Sequence, residues 1–368
     1  MMMQQDHALL EALRTDLAEL TALHAPSGAE QPVVARLREL FAPLADRVEV
    51  DQMGNLTATR EGSAGTPHIV VAAHSDEIGA MVASIEPDGF LRLLPLGGVQ
   101  ARLLEGRPVW VNGQPGVIGA RSGHLTPASE HGRGVAMTDL YVDLGVDSAA
   151  EVEKLGVRVG DPVVVISELR SLAGTRVAGK GIDNRASCVV LLHLLRHFRE
   201  RDLPCRLTAL VAVQEEVGLR GATVAFTRLK PDLAIVIDTF PAAGTPDTRH
   251  MHYTSRIGQG VLITPSSSSG SRGYLLSRAV RDVIINAAER AGAPYQLAAT
   301  DGGVTDAAAA HLVAGGIATL ELKLPRRYSH SPVEMLDLKD LAAALAVTQE
   351  LVSHPPTRQQ LAFLGESS

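Results

Sequence analysis

Two textures alternate along this sequence, and their order restricts the fold more than any single motif does. Residues 6–22 and 29–42 carry apolar side chains at helical spacing. In the second segment Val33, Val34, Leu37, Leu40 and Phe41 share one side, and Pro43 marks its end. Strand-like runs follow at 47–50, 56–59 and 68–73. From about residue 78 to 172 only short strand candidates occur, separated by Gly, Pro and Asn, at 79–85, 90–94, 108–111, 116–118, 141–144 and 162–166. One short helix, predicted over 148–155 with Ser148 as its cap, breaks that series. The pattern is that of a small β-barrel or sandwich. Long periodic segments then return. Helices are predicted over 183–198, 220–226, 271–291, 305–314 and 338–351, and strands over 207–214, 232–237, 296–299 and 318–322. The expected class is α/β, as two sequential domains or as one α/β domain interrupted by a β insertion.

Chemistry-bearing residues fall on both sides of the interruption, which favours the insertion. His74, Ser75, Asp76 and Glu77 end the apolar run 68–73. Alternation puts His74 and Asp76 on one side of an extended strand end, so Asp76 could hydrogen-bond the imidazole and orient it as a ligand. Asp183 opens a predicted helix after a glycine-containing turn, where it could equally be an ordinary N-cap. Glu215 and Glu216 stand together at the end of the run 207–213. Adjacent acids there repel unless cations or protons intervene. Successive strand residues point apart, so one could hold a metal while its neighbour faces substrate as a base. Asp238 ends the apolar run L-A-I-V-I-D, at the edge where open α/β sheets hold ligands. His330 lies in R-Y-S-H-S-P, and read alone it is a surface histidine.

Together these supply two histidines, two aspartates and one glutamate as ligands, with one glutamate to spare. Imidazole and oxygen ligands suit zinc, cobalt or manganese, and a pair of such ions sharing a carboxylate and a hydroxide is a common hydrolytic arrangement. No His-Glu-x-x-His helix, Gly-x-Ser-x-Gly elbow or phosphate-binding Gly-Lys-Ser/Thr loop occurs, which disfavours the chemistries those motifs carry. The run 266–271 reads as a serine-rich loop and helix cap.

Composition narrows the remaining classes. The net charge of −7 is spread without long runs of one sign, and no basic stripe suggests a nucleic-acid partner. Apolar runs meet charges or glycines too early for a membrane span. Two cysteines, Cys188 and Cys205, cannot build a disulfide framework. With no secretion-like N-terminus, a reducing, cytoplasmic setting is expected.

The chain resembles the dinuclear-metal aminopeptidases that include glutamyl, deblocking and tetrahedral aminopeptidases, some of which carry an older endoglucanase label. The likeness runs through A-A-H-S-D-E-I-G at 72–79, G-V-I-G-A-R-S-G-H at 116–124 and D-L-Y-V-D-L-G at 139–145. It continues in G-K-G-I-D-N-R at 179–185, Q-E-E-V-G-L-R-G-A at 214–222 and R-Y-S-H-S-P-V-E at 327–334. By that resemblance His74 and Asp238 hold one metal, Glu216 and His330 hold the other, and Asp183 bridges them. Glu215 is the general base and Asp76 sits behind His74. The implied metals are two divalent ions, zinc first, with cobalt or manganese as alternatives. The implied architecture is a mixed-sheet zinc-peptidase-like domain (1–77 and 173–368) interrupted by a PDZ-like β-barrel used in subunit association (78–172). Members commonly assemble as dodecamers, so a homo-oligomer, a tetrahedral dodecamer among its forms, is expected.

The implied reaction releases N-terminal residues from short peptides. A metal-bridging hydroxide attacks the first peptide carbonyl, and Glu215 carries its proton to the leaving amine. A deacylase or carboxypeptidase using the same ligands is the nearest rival. A glycosidase fits poorly, because adjacent acids that point apart do not flank one sugar bond. One departure concerns the pocket: Val304 stands where the family tends to have glycine before Thr305-Asp306.

Overall fold

The computed structural model describes residues 2–121, 123–125, 127, 129, 132, 134–248, 254–269, 272–299 and 302–364. Helices α1 (Met2–Ala22) and α2 (Gln31–Phe41) lead into strands β1 (Arg47–Val50), β2 (Leu56–Arg60) and β3 (His68–His74). Six strands follow: β4 (Gly79–Ile85), β5 (Leu91–Leu96), β6 (Pro108–Val111), β7 (Gln114–Ile118), β8 (Tyr141–Asp143) and β9 (Pro162–Val165). Short helices α3 (Ala101–Leu104) and α4 (Ala149–Lys154) lie among them. The chain returns through β10 (Arg170–Ser171) and β11 (Arg176–Gly179) to α5 (Ile182–Phe198), β12 (Arg206–Ala212), α6 (Arg220–Leu229) and β13 (Leu233–Pro241). Next come β14 (Val261–Ile263), β15 (Ser266–Ser269), β16 (Arg272–Leu275), α7 (Arg278–Arg290) and β17 (Tyr295–Leu297). The last elements are α8 (Asp306–Leu312), β18 (Thr319–Arg326), β19 (Glu334–Asp337), α9 (Leu338–Ser353) and α10 (Arg358–Leu361).

An eight-stranded mixed sheet in the order β1-β2-β12-β3-β13-β18-β14-β17 forms the α/β part. Its centre, β12-β3-β13-β18, is parallel. Parallel strands covered on both faces read as unbroken apolar runs, as His68–His74 and Leu233–Pro241 do. On one face α1, α5, α7 and α9 pack around Leu17, Val71, Leu191, Ile235 and Leu341. On the other, α6 and α8 cover Val70, Leu210, Phe226 and Val236.

Strands β4-β5-β8-β7-β6-β9 close into a barrel with its own core, including Val82, Leu91, Val109, Ile118, Val142 and Val163. The barrel falls between β3 and β11, so the α/β layer is assembled from segments on either side of it. Ser148 caps α4 by accepting the Glu151 N–H, as the sequence predicts. Among the described residues no helix is long and apolar enough to cross a membrane.

The predicted helix over 271–291 is corrected. Strands β15 and β16 form an antiparallel hairpin there, and α7 begins only at Arg278, with Ser277 accepting the Val280 N–H. Tertiary contacts override the local pattern. Tyr274 is buried and its hydroxyl donates to the Thr264 carbonyl, which pins the segment against the sheet. Within the serine-rich run expected as a loop, Ser266–Ser269 form the first strand of this hairpin, while Gly270 and Ser271 lie outside the described residues, as does Ser122 of the 116–124 motif.

A buried ionic knot ties the end of α1 to the end of β3. Lys180 Nζ lies 2.8 and 2.9 Å from the two Glu77 carboxylate oxygens and donates to the Leu23 carbonyl at 3.2 Å. Arg185, fully buried, donates to the carbonyls of Ser75 at 2.6 Å, Leu20 at 3.0 Å and Ala25 at 3.2 Å, and stands 3.7 Å from Glu77. Glu77→Gln leaves both cations buried without a counter-charge. It should destabilise the fold by about 3–5 kcal/mol, read as a lower urea midpoint at unchanged slope; an unmoved midpoint would contradict the assignment.

Candidate metal centre

Each candidate ligand reaches the site from the C-terminal edge of the parallel sheet or from a segment adjoining it. His74 is the last residue of β3, Asp238 lies near the end of β13, and Glu215 and Glu216 follow β12. Asp183 lies in the first turn of α5, behind a cis peptide to Asn184. Asn184 Nδ2 donates to the Ile237 carbonyl at 2.9 Å, which anchors that turn to β13. His330 lies between β18 and β19.

Two ligand triads result. His74, Asp183 and Asp238 present atoms within 4.8 Å of one another, and so do Asp183, Glu216 and His330. His74 Nε2 is 3.3 Å from Asp183 Oδ1 and 3.6 Å from Asp238 Oδ1. His330 Nε2 is 3.4 Å from Asp183 Oδ2 and 3.4 Å from Glu216 Oε1. Asp183 therefore belongs to both triads through different oxygens. Glu215 belongs to neither, yet its Oε2 stands 3.9 Å from His74 Nε2.

The donor set fits divalent cations. Asp183 Oδ1 and Glu216 Oε1 are buried without a hydrogen-bond partner, a costly state unless a cation completes them. Burial pushes Glu216 up to about 8, and neighbouring Asp183 adds to the rise. Burial likewise raises Glu215 well above the usual carboxylate range, with Asp238, Asp306 and Glu216 adding repulsion against the pull of His74. Asp238 is raised, again by burial first. Asp183 moves the opposite way: burial opposes ionisation, but Arg326, His330 and His74 hold it well below the ordinary range. His74 is raised despite its burial, because Glu215 and Asp238 surround it.

The tautomer of His74 follows from its partners. Its Nδ1 lies 3.1 Å from the Asp76 backbone carbonyl, which can only accept, so Nδ1 keeps its proton and Nε2 is the nitrogen that gives up its own to offer a lone pair to the triad. The Asp76 carboxylate has further partners. Its Oδ1, 3.4 Å from His74 Nδ1, accepts the Glu215 N–H at 3.0 Å. Its Oδ2 accepts the Glu216 N–H at 3.1 Å and the Ser27 hydroxyl at 2.6 Å. One buried carboxylate thus fixes the backbone of both adjacent glutamates.

Local strain marks the same places. Gln214 (φ 56°) and His330 (φ 54°) are left-handed non-glycine residues. A carboxylate holds each: Glu30 Oε1 accepts the Gln214 N–H at 3.0 Å, and Glu334 Oε1 accepts the His330 N–H at 2.9 Å.

Several residues at the site are given no role by the sequence alone. Glu334 ties the backbones of His330 and Asp183 together, accepting the Asp183 N–H at 3.0 Å. Arg326 contacts Asp183. Gly97 and Gly98 extend from the barrel strand β5. A Cβ on Gly98 would lie 2.5 Å from His330 Nδ1, and one on Gly97 would lie 3.1 Å from Glu216 Oε2, so only glycine lets the barrel close on the second triad. A Gly-Gly pair after a strand reads as a turn, and a Glu four residues past a histidine reads as nothing. Val304 is half-buried before Thr305, whose hydroxyl caps α8, and Asp306 is buried with both oxygens lacking a partner.

Comparison with known proteins gives one answer. The M42 glutamyl aminopeptidase family matches residues 54–347. A glutamyl aminopeptidase of Lactococcus lactis subsp. cremoris is 32% identical over 342 residues, which is 91% of this chain and 94% of that protein. The solved structure of aminopeptidase APDkam598 from the archaeon Desulfurococcus kamchatkensis has a TM-score of 0.89 at 35% identity, covering 96% of this chain and 97% of that one. The TET1 peptidase of Pyrococcus horikoshii has a TM-score of 0.82 at 30% identity, covering 93% and 99%. These likenesses run through both parts of the sheet and the barrel alike, and the chain belongs to the M42 glutamyl aminopeptidase family of metal-dependent aminopeptidases.

Proposed function

We propose that this chain removes N-terminal residues from short peptides at a dinuclear centre. His74 and Asp238 would hold one ion, Glu216 and His330 the other, and Asp183 both. The observation that carries the reading is the pair of triads sharing Asp183, with Glu215 beside them and outside both. When bound, the ions would acidify the attacking water and polarise the scissile carbonyl. Zinc suits these donors first, with cobalt or manganese as alternatives.

Glu215 is the general base and acid. Its carboxylate takes the proton of the attacking water and returns it to the leaving amine. Asp76 is a positioning residue: through the N–H groups of Glu215 and Glu216 it sets the base and a ligand in register. Ser27 holds the Asp76 carboxylate, and Glu30 and Glu334 lock the backbone at Gln214, His330 and Asp183.

The rival deacylase or carboxypeptidase needs a cation that grips a substrate carboxylate. Arg326 is 2% exposed and already engaged by Asp183, Glu334 and Ser329, which leaves it no face for substrate.

For the chain's organisation the proposal is a catalytic domain of residues 1–77 and 173–368 with an inserted association domain, 78–172. A cytoplasmic homo-oligomer follows, a tetrahedral dodecamer being one form. Support comes from the Pyrococcus horikoshii relative, which can assemble into a tetrahedron or a large octahedral shell.

Three outcomes test this function. Glu215→Gln should retain both ions by metal analysis while kcat falls roughly 10²–10⁴-fold; loss of the ions would make Glu215 a ligand instead. Offered amino-terminally free and acetylated forms of one peptide, the protein should cleave the free form, and cleavage confined to the acetylated form would transfer the site to the deacylase rival. Metal loading should release protons. Without metal, His330 is raised to about 9 (burial opposes, Asp183 and Glu216 prevail) and burial raises Glu216, so at pH 7 this pair retains a proton that a cation must displace. Calorimetric zinc titration in buffers of different ionisation enthalpy should read that release, declining as pH passes about 9; binding at pH 7 with no proton release would contradict it.

A further inference from the structure

The two oxygens of Asp183 meet different surroundings. Oδ1 faces His74 Nε2 at 3.3 Å. Oδ2 faces His330 Nε2 at 3.4 Å and also carries the Arg326 guanidinium, whose Nη1 is 2.7 Å away. Arg326 is held there from its far side. Its Nη1 also donates to Glu334 Oε1, and its Nη2 donates to Ser329 Oγ at 2.7 Å. Glu334 in turn accepts the backbone N–H groups of His330 and Asp183. The guanidinium is 2% exposed, so water does little to screen it.

We infer that Arg326 is a resident cation that makes the two metal positions unequal. This rests on the dinuclear reading above. The position formed by His74, Asp183 and Asp238 fills first. The position formed by Asp183, Glu216 and His330 fills only at higher free metal. A fixed positive charge against Oδ2 withdraws electron density from the oxygen that the second ion needs, and repels that ion as it arrives. Coulomb repulsion falls with distance, so the nearer position bears more of it; the field of Arg326 likewise bears on Glu216 more than on Asp238. Arginine cannot shed its proton to relieve the repulsion, as a lysine or histidine could. Ser329 and Glu334 resist its withdrawal. Arg326 is thus a positioning residue for the centre, and it tunes occupancy without touching the reacting atoms.

The test is equilibrium dialysis of metal-free protein against buffered zinc, with bound metal counted. Wild type should fill in two separated steps. Arg326→Gln removes the charge but keeps an amide that can donate to Glu334. Its second step should move to at least about ten-fold lower free zinc, with the first step moving far less. Arg326→Lys keeps a charge at the position and should hold the second step within about three-fold of wild type. An unchanged first step in either variant shows that the fold survived. Two bound ions with the second step of Arg326→Gln unmoved or weakened would overturn this inference alone, as would a ten-fold tightening in Arg326→Lys. A wild type that never binds a second ion at saturating zinc would remove the dinuclear reading itself, and this inference with it.

Discussion

Crowded, buried negative charge is the constraint on which the rest of this molecule depends. Asp183, Glu215, Glu216, Asp238 and Asp306 converge on one small region, and the side chains of all five are nearly excluded from solvent. Carboxylates so confined resist ionising together without cations: burial opposes the charge on each, Asp238, Asp306 and Glu216 add to the rise at Glu215 and Asp183 to that at Glu216, while Asp183 itself is held low by Arg326, His330 and His74. The protein keeps the arrangement by surrounding it with rigid supports. The central strands are parallel and packed on both faces, so the ends that carry His74 and Asp238 cannot shift without disturbing two cores. A region this costly to the fold makes sense only where the charge is used.

The supports are themselves mostly buried polar groups, and they act on backbone more than on side chains. Asp76 accepts the N–H groups of both glutamates, Glu334 those of Asp183 and His330, and Glu30 that of Gln214. Arg185 binds carbonyls from α1, the loop after it and Ser75. The outer layer therefore fixes where the chain runs, and ligand geometry follows from that course. This explains how two left-handed non-glycine residues, Gln214 and His330, persist beside the centre: a charged acceptor engages the N–H of each.

Much of this was legible in the sequence because the candidate site residues punctuate strong patterns. His74, Glu215 and Asp238 each close a run of buried apolar residues, and the end of such a run is where a parallel sheet presents side chains to a ligand. The barrel was legible from short strands between turn residues. What stayed hidden depends on contacts between distant segments. Residues 272–275 fall within the run predicted as a helix, yet Tyr274 finds Thr264 and they pair with β15 in a hairpin. Arg326 stands in a run of two arginines before Tyr328, and nothing local tells which of them turns inward. Glu334 gains its role only because β19 pairs with β11, which brings it beside the start of α5.

The interruption itself bears on the chemistry. β3 delivers His74, and the chain leaves the sheet immediately afterwards to build the barrel. The barrel then sends Gly97 and Gly98 back over the second triad, close enough that a methyl group on Gly98 would collide with the His330 ring. One wall of the centre therefore belongs to a body with its own hydrophobic core, joined to the sheet through the strand that ends at His74. A displacement of the barrel would open the side of the centre carrying Glu216 and His330, while the side carrying His74 and Asp238 is fixed by the sheet. The two halves of the site thus differ in mechanical support as well as in charge, and both differences fall on Glu216 and His330.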